Sequence, residues 1–273
     1  MKTKQEIIET NVKQKEFYNT KKKNFATKIW SFLREKVLKN ITKSLGILEQ
    51  NYSTHKIWFG DLSQKKVLDL GCFSGNHLTL HLAEHAQSYV GIDLSDVAIE
   101  KLAEKIKPFP NAKAMAVDFL SDEFAEKDFD IIYAYGVLHH FPNVDLLINR
   151  LNEKLADGGI VISYDPLETS LPVKLVRLIY RPFQTDAAWE WPFTKKTVFK
   201  FLNSFDVIEK RGMLGKTKWA FLLSFLPMSE DKKLTLGKKW HQEDWERSSV
   251  SNAKLFSCMH LSMLMKKKKS NEN

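Results

Sequence analysis

The chain has 273 residues, 43% of them hydrophobic and 12% aromatic, which excludes a disordered polymer and a small disulfide-stapled module. Two cysteines, Cys72 and Cys258, exclude a disulfide framework or a four-thiolate zinc site and point to a reducing, cytoplasmic setting. The net charge of +9 divides into +8 over residues 1–60, −9 over 61–170 and +10 over 171–273. Basic flanks of this kind suit a nucleic-acid or anionic-membrane face, and Lys-rich solvated helix faces give the same pattern. The first ten residues are too charged for a signal peptide. The longest nearly uncharged run, Trp219 to Met228, falls short of the ~20 residues a membrane-spanning helix needs.

Residues 1–55 read as a helical cap. Phe25, Ile29, Phe32 and Leu33 recur at helical spacing, Val37, Ile41 and Leu45 continue the stripe, and Gly46 suits a stop. Residues 56–165 alternate between strand and helix. Apolar runs at 67–70, 89–92, 114–117, 129–134 and 160–163 are separated by helical patterns. Ser95 and Asn143 suit helix N-caps, and Pro108 suits a helix stop. A further helix is expected to carry Leu147, Leu151 and Leu155 as far as Gly158-Gly159. Strands that are apolar throughout, rather than at every second position, fit a sheet covered on both faces. The expected fold class is therefore α/β, a doubly wound, mostly parallel sheet.

From 166 to 204 the rhythm breaks into a helical and Trp-rich insertion. A helix over 171–181 carries Lys174, Arg177 and Arg181 on one face and Leu171, Leu175, Leu178 and Ile179 on another. Such a helix suits peripheral membrane contact, and equally packing on the domain. Residues 205–265 read as two closing strands around a long helix, and 266–273 as a basic tail. Cap and insertion are additions over one sheet rather than separate folding units.

Ligand sites in open α/β sheets lie at the carboxyl ends of the strands. At the first such end, Asp69 is followed by a bend in which Gly71 and Gly75 let backbone approach a ligand. The spacing fails the dinucleotide fingerprint, since Phe73 and Asn76 stand where it needs glycine. Asp93 ends the second strand, where a carboxylate can accept both hydrogens of a ribose diol. Asp118-Phe119 follows the third, an acid and a ring suited to an adenine amino group and its face. Each feature alone is common in turns and caps. Their recurrence at one topological place is not.

The run Val67-Leu68-Asp69-Leu70-Gly71-Cys72-Phe73-Ser74-Gly75 resembles the first motif of class I S-adenosylmethionine-dependent methyltransferases. Asp93, Asp118-Phe119, the run Phe129 to Phe141 and Gly158-Gly159-Ile160-Val161-Ile162 are similar to its later motifs, in order, across about residues 65–165. Phe73 departs from the glycine of many members. The resemblance implies a seven-stranded sheet whose last strand is antiparallel, with S-adenosyl-L-methionine as cofactor. It implies that Asp69, Gly71, Cys72 and Gly75 surround the methionine part, Asp93 with Leu94 the ribose, Asp118 and Phe119 the adenine, and Tyr135 the amino group.

Methyl transfer is an in-line displacement, and a hydroxyl acceptor must also lose a proton. His140 or His139, in the turn after the fourth strand, can take it, although both can equally be structural. Tyr18, Asp165, Trp189 and Trp191 are candidates for the acceptor pocket. No Asn/Asp-Pro-Pro-aromatic motif follows the fourth strand and no cysteine lies near strands four or five, which counts against nucleic acid as substrate. No clustered metal ligands point to a metal mechanism. The expected reaction is transfer to an oxygen of a small or lipid-linked molecule. Transfer to nitrogen or carbon of a small metabolite, a nucleic-acid methyltransferase and a non-catalytic protein that kept the fold are the rivals.

Overall fold

A computed structural model of the chain describes residues 4–20, 40–184 and 187–268. The stripe from Phe25 to Val37 lies outside the described residues. Among the described residues three helices come first: α1 (Lys4–Thr20), α2 (Asn40–Ser44) and α3 (Ile47–Phe59). Gly46 separates the last two in a left-handed conformation.

The sheet then alternates with helices as β1 (Lys66–Leu70), α4 (His77–His85), β2 (Ser88–Asp93), α5 (Asp96–Ile106), β3 (Ala112–Ala116), β4 (Phe129–Tyr135), α6 (Val144–Lys154) and β5 (Leu155–Pro166). Side-chain caps start each of these helices. Asn76 accepts from Leu78 and Thr79, Ser95 from Ala98, and Asn143 from Leu146. After β5 come α7 (Leu171–Tyr180), α8 (Lys195–Ser204), β6 (Phe205–Met213), a 3₁₀ segment (Thr217–Phe225), α9 (Glu230–Val250), α10 (Asn252–Leu255) and β7 (His260–Lys267).

The seven strands lie in the order β3-β2-β1-β4-β5-β7-β6. β1 to β5 are parallel, and β7 runs antiparallel to β5 and β6. The connection through α9 and α10 explains the reversal. It leaves β6 at Met213 and returns at His260, which pairs with Met213 and Pro166 at the same edge. Alternate residues of each strand feed two cores, so Leu68, Val90, Ile132 and Val161 pack on one face and Val67, Tyr89, Ile131 and Ile162 on the other. Burial on both faces is what the uninterrupted apolar runs imply.

Several boundaries differ from expectation, among them the cap, whose helix α3 runs on to Phe59, and β5, which spans Leu155–Pro166. β3 begins at Ala112, and Val117 lies beyond it. α6 ends at Lys154 rather than at the glycine pair, because Leu155 already pairs with Phe129 as strand. The buried Lys154 ammonium donates to the Phe124 carbonyl at 2.6 Å, tying the helix end to the loop before β4.

Candidate functional site

The strand order reverses between β1 and β4, and a cleft opens there at their carboxyl ends. Its volume is about 220 Å³, and its floor is formed by Leu70, Gly71, Ile92, Asp93, Leu94, Asp118, Phe119, Tyr135 and Gly136. Asn11, Gln14 and Tyr18 of α1 close it from above, and His140 and Phe141 wall one end.

Two turns shape the floor. Gly71 and Cys72 both donate backbone N–H groups to the Ile92 carbonyl, at 2.8 and 3.1 Å. Gly71 has φ 71°, and a Cβ there would meet Val137 at 2.4 Å, so only glycine lets the turns after β1 and β4 touch. Phe73 adopts φ 48°, the left-handed region that glycine favours. Its N–H donates to Asp93 Oδ2 at 3.0 Å, and its ring meets Tyr18 edge-on at 6.2 Å. The side chain that departs from the family pattern thus contacts the lid helix.

Asp93 accepts from Phe73 N through Oδ2 and from Ser95 N through Oδ1, the latter at 2.9 Å. Each oxygen keeps a lone pair for a further donor. Burial pushes its carboxyl pKa up against the pull of these backbone donors. Asp118 accepts the Asn11 side-chain N–H at 2.6 Å and the Leu120 N–H at 2.9 Å. Arg150 of α6 braces the adjoining loop by donating to the carbonyls of Phe119, Ser121 and Phe124. Paired carboxylates with spare acceptor capacity, an aromatic wall and glycine backbone suit the ribose and adenine of S-adenosylmethionine.

Several expected contacts lie elsewhere. Asp69 is buried on the sheet face away from the cleft, where its Oδ2 accepts from Thr79 Oγ1 at 2.8 Å and the Tyr89 hydroxyl at 3.1 Å. Desolvation raises its pKa to about 7. The Cys72 side chain is buried against Gly91, and Gly75 packs toward Leu102 and Thr79 beneath the turn. These residues shape the turn and do not line the cleft. Tyr135 does line it, its ring stacked on Tyr52 at 5.4 Å and Tyr164 at 4.6 Å.

The two histidines part company. His139 is buried, and its N–H and Nδ1 both meet Asp165 Oδ1, at 3.1 and 2.9 Å. Asp165 is itself fully buried, which pushes its carboxyl pKa well up, and the pair pins the end of β5 to the turn after β4. Asp165 therefore does not reach the cleft. His140 lines the cleft, with Nδ1 2.7 Å from the Trp189 carbonyl and Nε2 3.2 Å from the Tyr18 hydroxyl. A carbonyl only accepts, so Nδ1 carries the proton and a neutral ring keeps its lone pair on Nε2, toward the cleft. Trp189 and Trp191 act here through backbone. Trp189 C=O orients His140 and Trp191 N–H donates to His139 C=O at 2.8 Å, while the Trp189 ring packs on Phe17 outside the cleft. Asn11 and Gln14 escaped the sequence reading, although their spacing to Tyr18, three and then four residues, marks one helix face.

A family model described as a methyltransferase domain matches residues 29–209. The chain belongs to this methyltransferase family. The methyltransferase is 30% identical over 108 residues to an uncharacterized protein of Haemophilus influenzae, covering 37% of this chain and 42% of that one. It is 25% identical over 187 residues to the demethylmenaquinone methyltransferase of Staphylococcus aureus strain MRSA252, covering 61% of this chain and 77% of the relative. Among solved structures, the N-methyltransferase NodS of Bradyrhizobium japonicum WM9, in complex with S-adenosylhomocysteine, matches with TM-score 0.52 and 15% identity over 81% of this methyltransferase and 87% of NodS. That likeness is one of fold.

Proposed function

We propose that the protein transfers a methyl group from S-adenosylmethionine to an oxygen of a small or lipid-linked acceptor, with His140 taking the acceptor's proton. One observation carries the reading: His140 Nε2 faces a hydroxyl inside the cleft, at 3.2 Å, with its tautomer set by the Trp189 carbonyl. The phenol of Tyr18 stands where an acceptor hydroxyl would have to stand.

The bound cofactor supplies a methyl group on a sulfonium, activated for displacement. Asp93 would hold the ribose hydroxyls, Asp118 and Phe119 the adenine, and Gly71 with Gly136 would admit the methionine part against backbone. His140 Nε2 would take the proton that the acceptor O–H loses when its oxygen receives the methyl group, the sulfur keeping the S–CH₃ bonding pair as a neutral thioether. Positioning supplies most of the acceleration, and the proton acceptor adds about 10²–10⁴-fold. The name of the Staphylococcus relative, a demethylmenaquinone methyltransferase, supports a quinone-type small-molecule acceptor and with it the rival of transfer to carbon. The name of NodS supports the second reading, transfer to nitrogen of a small metabolite.

Methyl-labelled S-adenosylmethionine incubated with the protein and a whole-cell extract tests this. Label in the organic phase, recovered as a base-stable ether, is the expected result. His140→Gln should lower turnover about 10²–10⁴-fold while cofactor affinity stays unchanged. An N-methyl product, or a His140→Gln enzyme that turns over like wild type, refutes the oxygen-transfer reading.

A further inference from the structure

α7 is attached to the domain by a narrow contact. Of its side chains Val173 is buried, whereas Leu171, Leu175, Leu178 and Ile179 are 68%, 52%, 74% and 74% exposed. At helical spacing these four fill one sector about 100° wide, opposite Val173. Lys174 and Arg177, with Arg181 at the cap just past the helix end, fall along one border of that sector. Soluble surfaces rarely leave so contiguous an apolar patch open.

Placement adds a second observation. β5 and β6 run in the same direction, so α7, which follows β5, and the 3₁₀ segment Thr217–Phe225, which follows β6, leave the sheet at the same edge as the cofactor turns. The latter also exposes Trp219, Leu222 and Phe225. Two apolar segments therefore stand at the edge where the cleft opens. The loop that orients His140 through Trp189 begins a few residues after α7.

We propose that α7 docks this edge on an anionic lipid bilayer. Leu171, Leu175, Leu178 and Ile179 enter the acyl boundary, and Lys174, Arg177 and Arg181 meet the lipid phosphates. Charge complementarity selects this occupant. A cationic border beside an apolar sector matches the boundary between phosphates and acyl chains, and long basic side chains reach outward from it. Beyond the helix Asp186 and then Glu190 follow in sequence, Glu190 engaged by the Gln184 side chain at 2.7 Å, and Glu168 precedes the helix. α7 has ten residues, and among the described residues no helix is long and apolar enough to cross a membrane, so it lies on the surface. The inference deepens the lipid-linked acceptor reading and rests on it for the purpose that docking serves.

Flotation with vesicles of phosphatidylcholine, alone or mixed with phosphatidylglycerol, tests it with the full chain. Wild type should float with the mixed vesicles and much less with phosphatidylcholine alone. Leu178→Asp/Ile179→Asp should weaken partition about tenfold or more. Lys174→Glu/Arg181→Glu should remove the preference for phosphatidylglycerol, about fivefold per charge. Both pairs are exposed, so affinity for S-adenosylhomocysteine should remain that of wild type and report correct folding. Failure of wild type to float, or flotation of the Asp pair like wild type, overturns the proposal. So does a wild-type dimer, seen by sedimentation, that the Asp pair dissociates, since the face then joins two copies of the chain. Flotation uses neither acceptor nor cofactor, so label that stays aqueous sinks the lipid-linked acceptor alone, and absent flotation with label in the organic phase sinks docking alone.

Discussion

Asp93→Ala separates the two tasks that the end of β2 performs. In the ligand-free protein the carboxylate already accepts two backbone N–H groups, from Phe73 at 3.0 Å and Ser95 at 2.9 Å. A ribose diol would add one donor to each oxygen. Hydrogen bonds to a charged group contribute about 1.5–3 kcal/mol each, so losing both costs about 3–6 kcal/mol. At about 1.4 kcal/mol per tenfold, the dissociation constant should rise about 10²–10⁴-fold. The same truncation strands the Phe73 N–H in a left-handed turn, a stability loss of about 1–3 kcal/mol for each donor left buried and unpaired. Asp93→Asn keeps the shape and one carbonyl oxygen but turns its NH₂ toward one of the two donors, so it should fall between wild type and Ala in affinity. Titration calorimetry with S-adenosylhomocysteine gives the binding loss, and thermal unfolding without ligand gives the stability loss. A folded Asp93→Ala protein that binds within about threefold of wild type, well under 1 kcal/mol, would refute the ribose assignment.

Asn11 competes with an adenine amino group for Asp118 Oδ2, so Asn11→Ala should tighten cofactor binding about 2–10-fold by calorimetry. Weaker binding would mean that Asn11 touches the cofactor instead. Asp69 has a folded pKa of about 7 against an ordinary 3.8, so the native state holds its proton across that window and loses stability as pH rises from 3.8 to about 7. Asp69→Asn accepts from Thr79 and Tyr89 without titrating. It should match wild type near pH 5 and exceed it at pH 8 by up to about 3 kcal/mol, at about 1.4 kcal/mol for each of the two units between pH 5 and about 7. Urea midpoints whose gap does not widen between these pH values would remove the assigned shift.

The sheet was legible in the sequence because burial on both faces leaves an uninterrupted apolar run. The end of α6 was not, because Leu155 keeps helical spacing with Leu147 and Leu151 while belonging to β5. Spacing alone does not distinguish a last helical turn from a first strand residue. Asp69 was misplaced for a different reason. Leu68 and Leu70 face one core, so Asp69 must face the other with Val67, a consequence of two-residue alternation that its nearness to Gly71 obscured. The roles of Trp189 and Trp191 had no sequence signal, because both work through main-chain atoms that every residue possesses. Asn11 and Gln14 did carry a signal, their spacing to Tyr18, but it lies on a polar stripe that apolar periodicity does not mark.

That polar stripe gives α1 its place in the proposed reaction. Lys15 and Asn19 grip Asp96 at 2.9 and 2.8 Å, and Asn19 also accepts from Ser95, so α1 is held at the start of α5 whatever the cleft contains. Its bonds into the cleft, from Asn11 to Asp118 and from Tyr18 to His140, fall on the two groups the proposed chemistry must use. Cofactor would displace the first and an acceptor hydroxyl the second, each exchanging one hydrogen bond for another of similar strength. Neither exchange requires breaking the grip on α5. A lid anchored on the cofactor's side and matched to its ligands bond for bond can remain over the cleft through the whole cycle, which keeps water from the His140 lone pair until an acceptor replaces the Tyr18 hydroxyl.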